Sequence, residues 1–224
     1  MVKYPFRLEQ LPLNGIYFFY EEGETVDHGD GVGSRMVRIG THKDGNFRSR
    51  IAEHFLMVDE AKKMAFDENK PAPHERSIFR KNLGRALLNK AGDPYLEVWE
   101  LDFTTSAGRK KNKHRRDVAK EKAVEAEVTR LLREKFSFRF ILLEGQEGRM
   151  GSSGLESNLI GTVAKCEECK PSANWLGNYS PKEDIRRTGL WLAQHLKSPE
   201  ISEGQRGIIE VAIKETQDWI RQHP

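Results

Sequence analysis

Four residues in this chain are of the types that phosphodiester chemistry requires. Tyr17 lies in a short apolar, aromatic-rich run, Gly15–Tyr20 (GIYFFY). Arg50 and His54 are four apart, and Glu156 follows a glycine-rich turn. A spacing of four places Arg50 and His54 on one face of a helix. Glu156 sits beside Leu155, Leu159 and Val163, an apolar stripe that would partly desolvate its carboxylate. Hydrolysis of a phosphodiester needs a carboxylate to hold a divalent cation, a positive side chain for the nonbridging oxygens, and a group that activates water. Taken singly, each of these residues has an ordinary structural role; a tyrosine in an apolar strand belongs in a core.

The elements that must position them follow from the residue pattern. Gly15–Tyr20 reads as a buried strand and Arg35–Thr41 as its antiparallel partner. The acidic, glycine-rich stretch between them reads as an expanded hairpin connection. Phe47, Ile51 and Phe55 recur every four residues and predict a helix over Phe47–Phe55. The charged, proline-bearing stretch from His54 to His74 reads as a variable loop. Ser77–Asn89 predicts a helix capped by Ser77. Tyr95–Phe103 fits either a strand or a helix. Asp117–Lys135 predicts a long helix with Ala119, Ala123, Val124, Ala126, Val128, Leu131 and Leu132 in its apolar stripe, followed by a strand over Phe136–Glu144. Later helices are expected after Gly154, over Glu183–Leu196 and over Gly204–Gln222. The expectation is an α/β fold: a small, mostly antiparallel mixed sheet flanked by helices, with extra C-terminal helices.

Composition and charge narrow the partners. The 224 residues are 37% hydrophobic and 32% charged, with mean hydropathy −0.69, which suits one domain with a large solvated surface. No apolar run is long enough to span a membrane and the N-terminus lacks a secretory signal pattern, so a cytoplasmic location is expected. The net charge is only +3, yet charge is segregated. Between Arg109 and Lys122 eight basic residues face only Asp117 and Glu121, and five more basic residues lie between Arg76 and Lys90 with no acidic one. Segregation of this kind is the footprint of a polyanion binder, although solvated helix faces give the same pattern.

At this point the chain resembles the GIY-YIG nuclease family. Gly15-Ile16-Tyr17 matches the first signature, and Arg38-Ile39-Gly40 occupies the position of the second. Arg50 and His54 match the family's arginine and the tyrosine-or-histidine one turn later. Glu156 matches its metal-binding glutamate, and Asn174 its downstream asparagine. Histidine at the helix position is similar to a bacterial, restriction-endonuclease-like subset. That subset also shows stretches like Arg76–Leu88, Trp175–Gly177 and Gly189–Trp191, so the resemblance runs discontinuously from about Leu11 to Trp191. It implies one domain over 1–224, with its core at about 11–180 and a C-terminal helical extension at about 181–224.

The resemblance implies metal-dependent cleavage of DNA. Glu156 would ligate Mg²⁺ or Mn²⁺, Tyr17 would orient or deprotonate water, Arg50 would meet the phosphorane charge, and His54 would bond the nucleophile or phosphate. A free phenol ionises at about pH 10, so Arg38, Lys43 or the metal would have to support charge on Tyr17. Two departures stand out: Arg38 replaces the second-signature tyrosine, and His42 and Lys43 stand where the family often has one lysine. His42, Lys43, Arg76, Arg80, Lys81, Arg109, Lys110, Lys111, Lys113, Arg115 and Arg116 are the expected nucleic-acid contacts. Cutting both strands of a palindromic duplex would favour a homodimer. A DNA-binding module that kept the fold and lost cleavage is the alternative, and an RNA-directed role a third.

Other motifs read plainly. Cys166 and Cys169 form a CxxC without a second pair, so they are expected to be reduced thiols rather than a zinc site; His195 and His223 are expected on helices elsewhere. Gly148–Gly154 lacks the GKT or GKS ending of a phosphate loop and reads as the turn admitting the Glu156 helix. Trp175, Trp191 and Trp219 are expected in the core.

Overall fold

The structure, a computed structural model, describes residues 1–57 and 66–223. Among the described residues the sheet has four strands in the order β1-β4-β2-β3: β1 (Val2–Lys3), β2 (Ile16–Asp27), β3 (Val32–Thr41) and β4 (Phe136–Ile141). Every pairing among the described residues is antiparallel. The helices are α1 (Phe47–Phe55), α2 (Pro73–Arg76), α3 (Ile78–Lys90), α4 (Leu96–Trp99) and α5 (Ser106–Asn112). They continue with α6 (Val118–Lys135), α7 (Gln146–Arg149), α8 (Leu155–Lys165), α9 (Glu183–Thr188) and α10 (Glu203–Gln222). None is long and apolar enough to cross a membrane.

Alternation along the strands splits the apolar residues between two layers. Tyr17, Phe19, Phe138 and Phe140 face α1, α3 and α6, where Phe47, Ile51, Phe55, Phe79, Leu83, Val128 and Leu132 complete one core. Ile16, Ile39 and Ile141 face the other way, onto Leu155, Leu159 and Ile160 of α8 and Ala212 of α10. The last helix docks through Ala212 and Thr216, which are buried, and the Thr216 hydroxyl accepts from the Leu142 amide at 2.8 Å.

Several expectations are corrected. The acidic connection is not a loop: both strands continue through it, leaving only residues 28–31 as the turn. Register shifts between Phe19 and Thr25 aim Glu21 and Glu24 at a later segment. Glu21 accepts from the indoles of Trp175 and Trp191 at 2.8 and 2.9 Å, and Glu24 accepts from Arg35 at 3.0 Å. Tyr95–Phe103 contains a short helix and no strand. The helix expected over Glu183–Leu196 stops at Thr188, where Gly189 takes a left-handed conformation (φ 71°). The centre of the loop expected between His54 and His74 lies outside the described residues.

The stripe of α6 also differs. Ala119, Ala123 and Ala126 are exposed, while Glu121, Glu125, Val128 and Leu132 are buried. The two carboxylates turn inward because buried cations await them. Arg116 donates to Glu121 at 2.8 Å and Arg80 to Glu125 at 2.9 Å. An inward charge survives only with such a partner.

Candidate active site

The root of the β2–β3 hairpin brings the signature residues together. Tyr17 pairs with Gly40 and Phe19 with Arg38, so Tyr17 and Arg38 project from the same face. Both signature glycines have a steric reason to be glycine. Gly15 has φ 153°, and a β-carbon there would stand 2.3 Å from the Ile141 carbonyl oxygen; at Gly40 it would stand 2.3 Å from the Tyr17 hydroxyl.

Helix α1 delivers Arg50 and His54 to this face. His54 is fully buried, its Nε2 3.2 Å from the Tyr17 hydroxyl and its Nδ1 2.8 Å from Ser77 Oγ. Ser77 also caps α3, accepting from the Arg80 amide at 3.3 Å. Burial, followed by the cations of Arg50, Arg38 and Arg80, holds His54 well below the usual histidine range, so its ring is neutral at pH 7. Arg50 donates to Glu53 at 2.9 Å and to the Arg76 carbonyl at 2.8 Å. Arg38 and Arg50 both interact with the Tyr17 hydroxyl.

Glu156 arrives from the opposite layer. It stands in the first turn of α8, half-buried, and its Oε1 accepts from the Thr41 amide at 3.1 Å. Burial raises its pKa, against the lowering effects of that amide and of the Arg38, His195 and Arg50 charges. Arg38 and Glu156 line a cavity of about 230 Å³, together with Asn82, Arg85, Lys182 and His195. The floor of this cavity depends on Trp191: its amide donates to the Val37 carbonyl at 2.7 Å, and its carbonyl accepts from Arg38 at 2.7 Å and Asn82 at 3.3 Å.

The oxygen-donor character of Glu156 fits Mg²⁺ or Mn²⁺. Such cations are commonly held by one or two carboxylates, with water and substrate phosphate filling the remaining positions. The adjoining cavity gives those ligands room.

Other expected site residues fall into three groups. His42 follows β3 and its buried Nδ1 has no hydrogen-bond partner among the described residues; burial and Arg50 lower its pKa. Lys43 is exposed beside it. Asn174 is not brought to the cluster: it is exposed in the turn before Trp175, a segment tied to Glu21 and Glu24 farther along β2. Among the expected nucleic-acid contacts, Arg80 and Arg116 are consumed by their buried carboxylate pairs. Arg76 pairs with Glu53 and Lys81 with Glu75, while Arg109 caps the carbonyls of Phe103 and Thr104. Lys110 and Lys111 are exposed on α5; Lys113 and Arg115 are exposed but contact Glu68 and Glu97.

Sequence reasoning missed Asn82, Arg85, Lys182 and His195 on the cavity wall and Ser77 as the partner of His54. Asn82 was hidden inside an amphipathic helix pattern. His195 lies in an irregular segment with φ 63°, not on the helix expected for it, and local pattern carries no trace of its approach to Glu156.

No curated protein and no solved structure matches the chain. The GIY-YIG domain family does, over residues 6–218, a span holding both signatures, α1, Glu156 and the Trp191 segment. A match of that extent shows that the chain belongs to the GIY-YIG domain family, with its nuclease-type function.

Proposed function

We propose that this protein is a metal-dependent endonuclease that hydrolyses DNA phosphodiester bonds, with a restriction-like role. The observation that carries the reading is the convergence of Tyr17, Arg38, Arg50 and His54 from one sheet face with Glu156 from the other, at one end of the β2–β3 pair. Glu156 would hold Mg²⁺ or Mn²⁺, which supplies positive charge to the scissile phosphate when bound. Tyr17 orients the attacking water and, as its phenolate beside the Arg38 and Arg50 cations, would take up the water's proton. The Ser77 hydroxyl, already accepting from the Arg80 amide, donates a hydrogen bond to His54 Nδ1. His54 then carries its proton on Nε2 and donates to the Tyr17 oxygen. Arg50 meets the charge that builds on the phosphate. Arg38 occupies the place of the second-signature tyrosine and acts as a fixed cation. Exposed Lys110, Lys111, Lys113 and Arg115 position the duplex through its backbone without reading sequence. A homodimer would cut both strands of a palindromic site.

Two observations favour the alternative of a binding module without cleavage. Tyr17 is only 1% exposed, and the cavity is lined by Arg38 where the family has tyrosine. Incubating the protein with supercoiled and linear DNA in Mg²⁺, Mn²⁺ or EDTA, beside Glu156→Ala, separates the two. Metal-dependent products lost in the variant support the nuclease, and discrete bands support a restriction-like role. Salt-sensitive binding without products supports the module, and cleavage confined to RNA redirects the substrate.

A further inference from the structure

The CxxC that looked incomplete in sequence gains a third donor in space. Cys166 ends α8 and Cys169 follows it, buried; His28 is the first residue after β2, at the tip of the long hairpin. His28 Nε2 lies 3.8 Å from Cys169 Sγ, and one donor atom from each of the three residues lies within 4.8 Å of the others. Zinc bonded at about 2.3 Å to sulfur and 2.0–2.1 Å to nitrogen separates tetrahedral S and N ligands by about 3.6 Å, and two sulfurs by about 3.8 Å. The three side chains thus stand close to the spacing of three corners of a zinc tetrahedron. Glu168, whose Oε2 accepts from Cys166 Sγ at 3.3 Å, borders the cluster, and it or a water would fill the fourth corner.

We propose that His28, Cys166 and Cys169 bind a structural zinc ion that clamps the hairpin tip to the C-terminal end of α8. Two thiolates with an imidazole select zinc over the hard cations that suit Glu156. The clamp has a mechanical logic. Helix α8 is already fastened to the hairpin root, where Glu156 accepts from Thr41, and zinc would fasten the same helix to the hairpin tip. This site shares no residue with the cluster around Tyr17 and Glu156.

The test is metal analysis of the protein purified without chelator and with its thiols kept reduced. We expect one zinc per chain, replaceable by Co²⁺ with a thiolate-to-cobalt charge-transfer band in the near ultraviolet. His28→Ala should weaken zinc binding by on the order of 100-fold or more, since even residues behind a metal ligand contribute 10–100-fold. Cys166→Ser should abolish the cobalt band. Removing zinc should lower Tm by roughly 5–15 °C in the wild type and have little effect in His28→Ala. Glu156→Ala should keep its full zinc, whatever becomes of cleavage. His28 is exposed, so its variant tests the site even where a cysteine variant fails to fold. Two free thiols that take up neither zinc nor cobalt, or a Cys166–Cys169 disulfide with no metal, would overturn the proposal.

Discussion

Gly40 lies so close to the Tyr17 hydroxyl that a β-carbon at position 40 would stand 2.3 Å from the phenolic oxygen. The second signature's glycine is thus a packing requirement of the first signature's tyrosine. Gly40→Ala should push the ring away from His54 and lower cleavage on the order of 100-fold, the cost of about 1 Å of misplacement. The melting curve should show a loss of about 1–3 kcal/mol for the overpacked site. Unchanged turnover in Gly40→Ala would mean that Tyr17 need not hold this position.

Glu156→Gln removes the anion while keeping the shape and the Thr41 bond. Metal-dependent cleavage should fall by about 10³-fold or more, the scale set by removal of one electrostatic stabiliser. DNA binding in EDTA should stay within a few-fold of wild type. Because burial raises the Glu156 pKa above 4.5, metal binding by the wild type should start to weaken, as pH falls, at a higher pH than for an ordinary glutamate. Mn²⁺ titrations across the acid range would measure it.

His54 gives a separate pH signature. Its folded-state pKa is depressed well below 6.5, so below pH 6.5 the unfolded chain binds a proton that the folded chain refuses. Stability should therefore fall as pH drops from 6.5 towards the folded-state value, by at most about 1.4 kcal/mol per pH unit. His54→Gln should lack this component. Denaturant unfolding of both proteins at several pH values gives the difference, and parallel curves would refute the depressed pKa.

Two classes of basic residue should separate cleanly. Arg80→Met removes the guanidinium partner of the fully buried Glu125, leaving it only His74, and should cost about 3–5 kcal/mol of stability. Lys110→Glu with Lys111→Glu should leave the melting temperature nearly unchanged, weaken DNA binding and flatten its salt dependence. A double variant with wild-type affinity and salt slope would remove α5 from the proposed DNA surface.

The order of elements was legible because the apolar spacing is strong at Phe47, Ile51 and Phe55, and because Ser77 and Gly154 mark helix starts. The four signature residues were legible by type and spacing. What local pattern could not show was how distant charges are disposed of. Eight basic residues between Arg109 and Lys122 look like one positive face, yet Arg116 turns inward to meet Glu121. Glu21 and Glu24 look like solvated loop residues until Trp175, Trp191 and Arg35 arrive from elsewhere to meet them. A CxxC likewise gives no hint that a histidine more than a hundred residues earlier will lie beside it. Such pairings depend on tertiary neighbours, which periodicity does not encode.

The carbonyl of Trp191 that holds Arg38 and Asn82 sets a timetable for synthesis. A nascent chain that has emerged from the ribosome as far as the end of α8 already carries Tyr17, Arg38, Arg50, His54 and Glu156, but not the backbone that fixes Arg38 or the residues after it that wall the cavity. Translation therefore finishes the site late, so a ribosome-bound fragment carrying those five residues remains an unfinished nuclease-type site.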